Sequence, residues 1–286
     1  MGAVHIDKVV ELPPFAVPAA WYPAAAATGT ARATIVLLPA LGTGAGYYRP
    51  VAEALAARGF NVLSPELPGT GDSRPRASRS VDFGYRYLVE RYLPGVLAAA
   101  RQRGGAGPLV VAGHSLGAQV AALDLLHGQA APDALITIAG GFIHYRNWDG
   151  RHAAAVWGVA ALVSASTWLF GYLPGRGPGF GTPAPRTLMR EWSRTIRRGR
   201  WPPIAGDSRN AVQTPVLSIC YAGDVLAPRR SAAALAERLA GELVSLPVDW
   251  PGSPHAAWAR HPAATVRCID DWLVARQVAR RGAPWA

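Results

Sequence analysis

Short uninterrupted apolar runs alternate with longer segments of helical periodicity along most of the chain. Ala33–Leu38 (ATIVLL) is a short continuous apolar run that reads as a strand covered on both faces, and Phe60–Ser64, Leu109–Ala112, Leu135–Ala139, Val216–Tyr221 and Leu243–Pro247 read as further strands. Between them Tyr48–Arg58, Tyr85–Arg103, Leu116–Leu126, Arg230–Ala240 and Pro262–Ala279 read as helices, the second kinked by Pro94. Val4–Leu12 and Phe15–Tyr22 alternate loosely around Pro13 and Pro14 and predict an opening antiparallel hairpin. Strands separated by helices of this length imply βαβ units and a mostly parallel, eight-stranded α/β sheet flanked by helices.

One segment breaks the rhythm. Residues 141–213 hold five of the ten tryptophans and set ten arginines against three acids. The segment is expected to be a helical cap inserted into a single core built from residues 1–140 and 214–286, with a Gly/Pro-rich loop at Pro174–Pro185. Within it, Ala153–Leu173 runs 21 residues without a charge, long enough to span a bilayer. Its small and hydroxylated residues, and its place among α/β segments, favour a buried or substrate-facing lid helix over an interfacial or spanning one.

Composition narrows the classes further. The 286 residues are half hydrophobic and 16% charged, which excludes disorder, and no glycine period supports a fibrous chain. Twenty-nine Lys+Arg against 18 Asp+Glu give a formal charge of +11. No nucleic-acid-binding pattern accompanies that charge, so nucleic acid is not the expected partner. Cys220 and Cys268 form neither a disulfide framework nor a metal motif, and the first residues carry no apolar signal, so a cytoplasmic protein without metal or organic cofactor is expected.

The chemistry concentrates in Gly113-His114-Ser115-Leu116-Gly117. A G-x-S-x-G that ends a strand and opens a helix is the context a nucleophile elbow requires: glycines clear a tight turn and the serine hydroxyl stands above the sheet. A serine needs a base, and the base an orienting carboxylate. Asp224 follows the strand Val216–Tyr221, and His255 follows Leu243–Pro247, so both fall at carboxyl ends of strands. Asp249 is the rival acid and His261 the rival base. His114, inside the elbow, reads as structural. Two backbone N–H groups should hold an oxyanion. One is that of Leu116, and the other comes from the loop after ATIVLL, where Pro39 has no N–H and Leu41 precedes Ala40 as donor. Gly42-Thr43-Gly44-Ala45-Gly46 lacks dinucleotide-loop spacing.

With these motifs the chain resembles the α/β-hydrolases over nearly its whole length. Glu66-Leu67-Pro68-Gly69-Thr70-Gly71-Asp72-Ser73 is similar to their D-x-x-G-x-G-x-S segment, with Glu66 where Asp is usual. Pro39-Ala40 stands where many relatives carry His-Gly. That departure, Tyr47-Tyr48-Arg49-Pro50 and the stretch Phe170–Arg176 resemble a bacterial subfamily of predicted hydrolases. The reading is a serine hydrolase of esterase or lipase type, with Ser115, Asp224 and His255 catalytic. Trp148, Trp168, His144 and Trp258 are expected to contact a hydrophobic small-molecule substrate, and the cap to touch a membrane surface weakly. Acyl transfer, cyclisation, C–C cleavage or a non-catalytic binding role on the same fold are the alternatives.

Overall fold

A computed structural model describes residues 5–25, 31–127, 132–175, 181–204 and 214–279. Residues 176–180 of the expected loop Pro174–Pro185, Arg176 among them, and Arg209 lie outside the described residues. The chain opens with the hairpin β1 (His5–Leu12) and β2 (Phe15–Tyr22), which pair antiparallel. β3 (Thr34–Leu38), α1 (Arg49–Ala57) and β4 (Asn61–Pro65) follow. A helical run then passes from α2 (Tyr85–Tyr87) through a π turn at Leu88–Tyr92 into α3 (Leu93–Gly104). The expected Pro94 kink therefore takes the form of a widened turn, because proline offers no N–H to the preceding carbonyls.

β5 (Leu109–His114), α4 (Leu116–His127) and β6 (Ala134–Ile138) complete the first half. Between β6 and the next sheet strand come α5 (Gly150–Phe170), β7 (Tyr172–Leu173), β8 (Ala184–Pro185) and α6 (Arg186–Arg198). The chain then returns as β9 (Val216–Tyr221), α7 (Arg229–Arg238), β10 (Glu242–Leu246), α8 (Pro254–Ala257) and α9 (Ala263–Ala275). The main sheet has eight strands in the order β1-β2-β4-β3-β5-β6-β9-β10. From β4 to β10 all neighbours are parallel, and the opening hairpin adds two antiparallel strands at one edge.

Alternation along the central strands feeds two cores. Val36, Leu38, Leu109 and Val111 face a layer drawn from α3, α4 and α7. Ile35, Leu37, Val110 and Ala112 face α1, α9 and the aromatic group of Tyr48, Tyr221 and Trp258. Each strand buried on both faces reads as an uninterrupted apolar run, as the sequence does. All carboxyl ends of the parallel strands open on one edge of the sheet, where the next loops converge.

The insertion differs from its expectation. α5 buries only Ala160, Val163 and Thr167, and most of its circumference is exposed, so it is not a buried helix. It packs along α6, and α6 is held to the core at its amino end. There Asp82 accepts from the Thr187 N–H and hydroxyl, and Glu191 accepts from the Tyr85 N–H.

Candidate active site

Ser115 directly follows β5 and begins the turn into α4 with a φ of 51°, a left-handed conformation that a serine adopts only under constraint. Its N–H donates to the Ile138 carbonyl of the neighbouring strand, and its carbonyl accepts from Gln119 in the first turn of α4. The flanking glycines are a steric necessity. A Cβ at position 113 would stand 2.5 Å from the backbone of residues 117 and 118, and one at 117 would stand 2.6 Å from the Leu38 carbonyl oxygen. The turn thus lifts the hydroxyl above the sheet edge at a helix amino terminus, where developing negative charge is favoured.

The serine, histidine and aspartate foreseen from three distant stretches form one row. His255 Nε2 lies 3.1 Å from Ser115 Oγ, and His255 Nδ1 lies 2.9 Å from Asp224 Oδ2. The Asp224 side chain is fully buried, and its other oxygen accepts from the N–H groups of Leu226 and Ala227 at 2.8 and 3.0 Å. One carboxylate therefore fixes its own loop and the imidazole together. The rivals stand apart: Asp249 is exposed, and His261 stacks on Trp250. A hydroxyl, an imidazole and a carboxylate in this order can move a proton off the serine as it attacks an acyl carbon.

The loop after β3 brings Leu41 against Leu116 along one side of a narrow apolar pocket, which Leu67, Phe83, Leu88 and Leu188 also line. Ala40 is removed as a donor. Its N–H is already given to Tyr48 Oη at 2.9 Å. Tyr48 in turn meets His114 Nδ1 at 2.7 Å, and His114 Nε2 meets the backbone carbonyl of His255 at 2.8 Å. A carbonyl only accepts, so His114 carries its proton on Nε2 and its Nδ1 receives the tyrosine proton. Burial, with the neighbouring His255 ring, holds the pKa of His114 well below the usual histidine range, so it stays neutral. His114 is structural, as expected. What the sequence did not reveal is that, with Tyr48, it joins the donor loop to the main chain of His255; the Tyr-Tyr-Arg-Pro stretch was the one visible trace.

Glu66 plays a similar part on the other flank. Its carboxylate accepts from the Ala45 N–H at 2.9 Å and fills the space where a side chain at Gly71 would stand, 2.0 Å away. Burial raises its pKa. The longer acid thus reaches across from the loop after β4 to brace the loop after β3.

The four expected substrate contacts fare differently. Trp258 is fully buried beneath His114 and stacked on Tyr221, so it is a core residue and not a substrate contact. Trp148 is buried too, its indole N–H donating to the Val225 carbonyl at 2.7 Å, which ties the insertion to the loop that carries Asp224. His144 packs on Tyr145 beside Gly199 at the end of α6. Trp168 is 76% exposed on the outer side of α5. Among the described residues the Ser115 hydroxyl is hydrogen-bonded to His255 and to none of these four. Among the described residues no three His, Cys, Asp or Glu side chains converge on a metal position.

A family model described as the alpha/beta hydrolase family matches residues 35–285. The chain belongs to that family. Solved structures agree on the fold of this alpha/beta hydrolase. A soluble variant of monoglyceride lipase from Saccharomyces cerevisiae superposes with a TM-score of 0.71 at 13% identity, covering 96% of each chain. Est1E from Butyrivibrio proteoclasticus, bound to ferulic acid, gives 0.64 at 16% identity over 94% of this hydrolase and 98% of its own chain. A monoacylglycerol lipase from Paleococcus ferrophilus gives 0.62 at 15%, with 91% and 98% covered. At such identities the likeness speaks for the fold alone. No curated protein sequence matches the chain.

Proposed function

We propose that this alpha/beta hydrolase is a serine esterase that cleaves an ester or thioester of a hydrophobic small molecule through an acyl-enzyme. The observation that carries the reading is the unbroken row Ser115–His255–Asp224 at a strained strand-to-helix turn. Ser115 attacks the acyl carbon while His255 Nε2 takes its proton, and His255 then returns that proton to the departing alcohol or thiol. Water repeats the cycle on the acyl-serine. Asp224 keeps the imidazole in the required tautomer and stabilises it when charged.

The N–H groups of Leu116 and Leu41 hold the oxyanion in this mechanism, each of the kind whose loss costs about 3–4 kcal/mol of transition-state stabilisation. The apolar side chains of Leu41, Leu67, Phe83, Leu88 and Leu188 beside Leu116 favour a hydrophobic acyl group, for which the narrow space between them must widen. The lipases among the structural neighbours are consistent with such chemistry.

A fluorophosphonate probe tests the covalent step, and a series of p-nitrophenyl esters of increasing chain length tests the acyl preference. The expected result is a single labelled site at Ser115 and turnover that rises with acyl length. An unlabelled serine in folded protein overturns the reading. Labelling without ester turnover, but with acyl transfer to an added amine or alcohol, replaces hydrolysis with transfer.

A further inference from the structure

We propose that α5 is a membrane-docking helix that lies flat on an anionic phospholipid surface. The outer side of this helix exposes Trp157, Val159, Leu162, Trp168, Leu169 and Phe170, each between 43 and 76% accessible. No charged side chain interrupts the helix after Arg151 in its first turn. That leaves an apolar strip of about 27 Å at 1.5 Å per residue. Scattered exposed leucines need no explanation, but a continuous strip with two tryptophans and a phenylalanine does.

Arginines border the strip on three sides. Arg151 is exposed at its beginning, Arg79 donates to the Phe170 carbonyl at its end, and Arg197 reaches the Ser164 hydroxyl along its flank. The adjacent α6 adds exposed Arg190, Arg194 and Arg198. This pairing of aromatic anchors with a cationic margin is what the headgroup boundary of an anionic bilayer complements. A second copy of the chain would instead bring two arginine-bordered faces together, and like charges oppose that contact.

The helix lies on the surface and does not cross it. Ala160 is packed with Ile143 and Ile196, and Val163 and Thr167 are also buried, so this inner side belongs to the protein. Val225 and Leu226, both more than half exposed, extend the apolar surface at the amino end of α5, where Trp148 holds their loop. Asp224 immediately precedes them, so the docked face adjoins the loop of the candidate active site. The inference does not rest on the esterase reading, because lipid binding is measured without turnover.

Flotation of the full-length protein with vesicles tests it. Binding is expected with phosphatidylcholine containing phosphatidylglycerol, at least tenfold weaker binding with phosphatidylcholine alone, and release as salt rises. The double variant Leu162→Asp and Leu169→Asp changes two exposed positions and should lose roughly tenfold or more in binding, with unchanged circular dichroism and melting temperature. Three results overturn the proposal: no flotation of the native protein with either vesicle, equal flotation of the folded double variant, or a native dimer that the double variant converts to monomer without any vesicle binding. If the double variant misfolds, Arg190→Glu with Arg198→Glu takes its place, and equal flotation of that folded pair likewise overturns it.

Discussion

α4 and α5 are similar helices in opposite surroundings. Both are strongly apolar and neither carries a clear polar stripe. Nine of the twelve residues of α4 are buried, against three of the 21 in α5. α4 starts at the nucleophile turn and is covered by the sheet and by the helical run that leads into α3. α5 has the core and α6 on one side and solvent on the other. Apolar content without periodicity thus states that a helix prefers to leave water, and says nothing of what receives it.

The comparison can be broken from its reactive end. Ser115→Ala, at the amino terminus of α4, should lower kcat by about a million-fold while the protein stays folded, measured with a p-nitrophenyl ester and circular dichroism. Substantial residual turnover would mean that the buried helix does not carry the chemistry.

Packing sharpens the contrast at smaller magnitude. Leu123 is fully buried on α4, and Leu123→Ala should cost about 2–5 kcal/mol in urea unfolding. The same truncation at Leu162 on α5, 58% exposed, should change stability by less than ~0.5 kcal/mol. Equal losses at the two positions would mean that α5 is covered by something in solution.

The residue before α4's serine makes an intermediate case. His114 is buried with a depressed pKa, so the unfolded chain binds its proton first as pH falls. Stability from this group is full above the unfolded value of about 6.5 and is lost on acidification below it, by up to about 1.4 kcal/mol per pH unit. Melting temperatures between pH 7.5 and 5 should fall more steeply for the native protein than for His114→Gln. Parallel slopes would remove the neutral histidine from the account.

Much of the site could be read in advance because its determinants are local. Gly113 and Gly117 bracket a serine whose turn tolerates no side chains there, and Asp224 and His255 each follow a strand that an apolar run betrays. Parallel strands bring such ends to one edge whatever the loop lengths. The relay from Ala40 through Tyr48 and His114 to His255 was not legible, since its bonded partners lie as many as 141 residues apart and an aromatic hydroxyl announces no partner. Trp258 misled for a related reason: its position near His255 in the chain suggests a substrate contact, while its ring turns into the core.

What the amino-acid order determined by itself was the alternation of strands and helices, the sharp turn at Ser115 and the candidates for acid and base, all of which depend on backbone geometry and period over a few residues. The tertiary structure alone decided which apolar side chains are hidden and which face outward, and which distant groups share a proton. Burial and hydrogen bonding across the fold depend on what arrives from elsewhere in the chain, and no short window of residues contains that information.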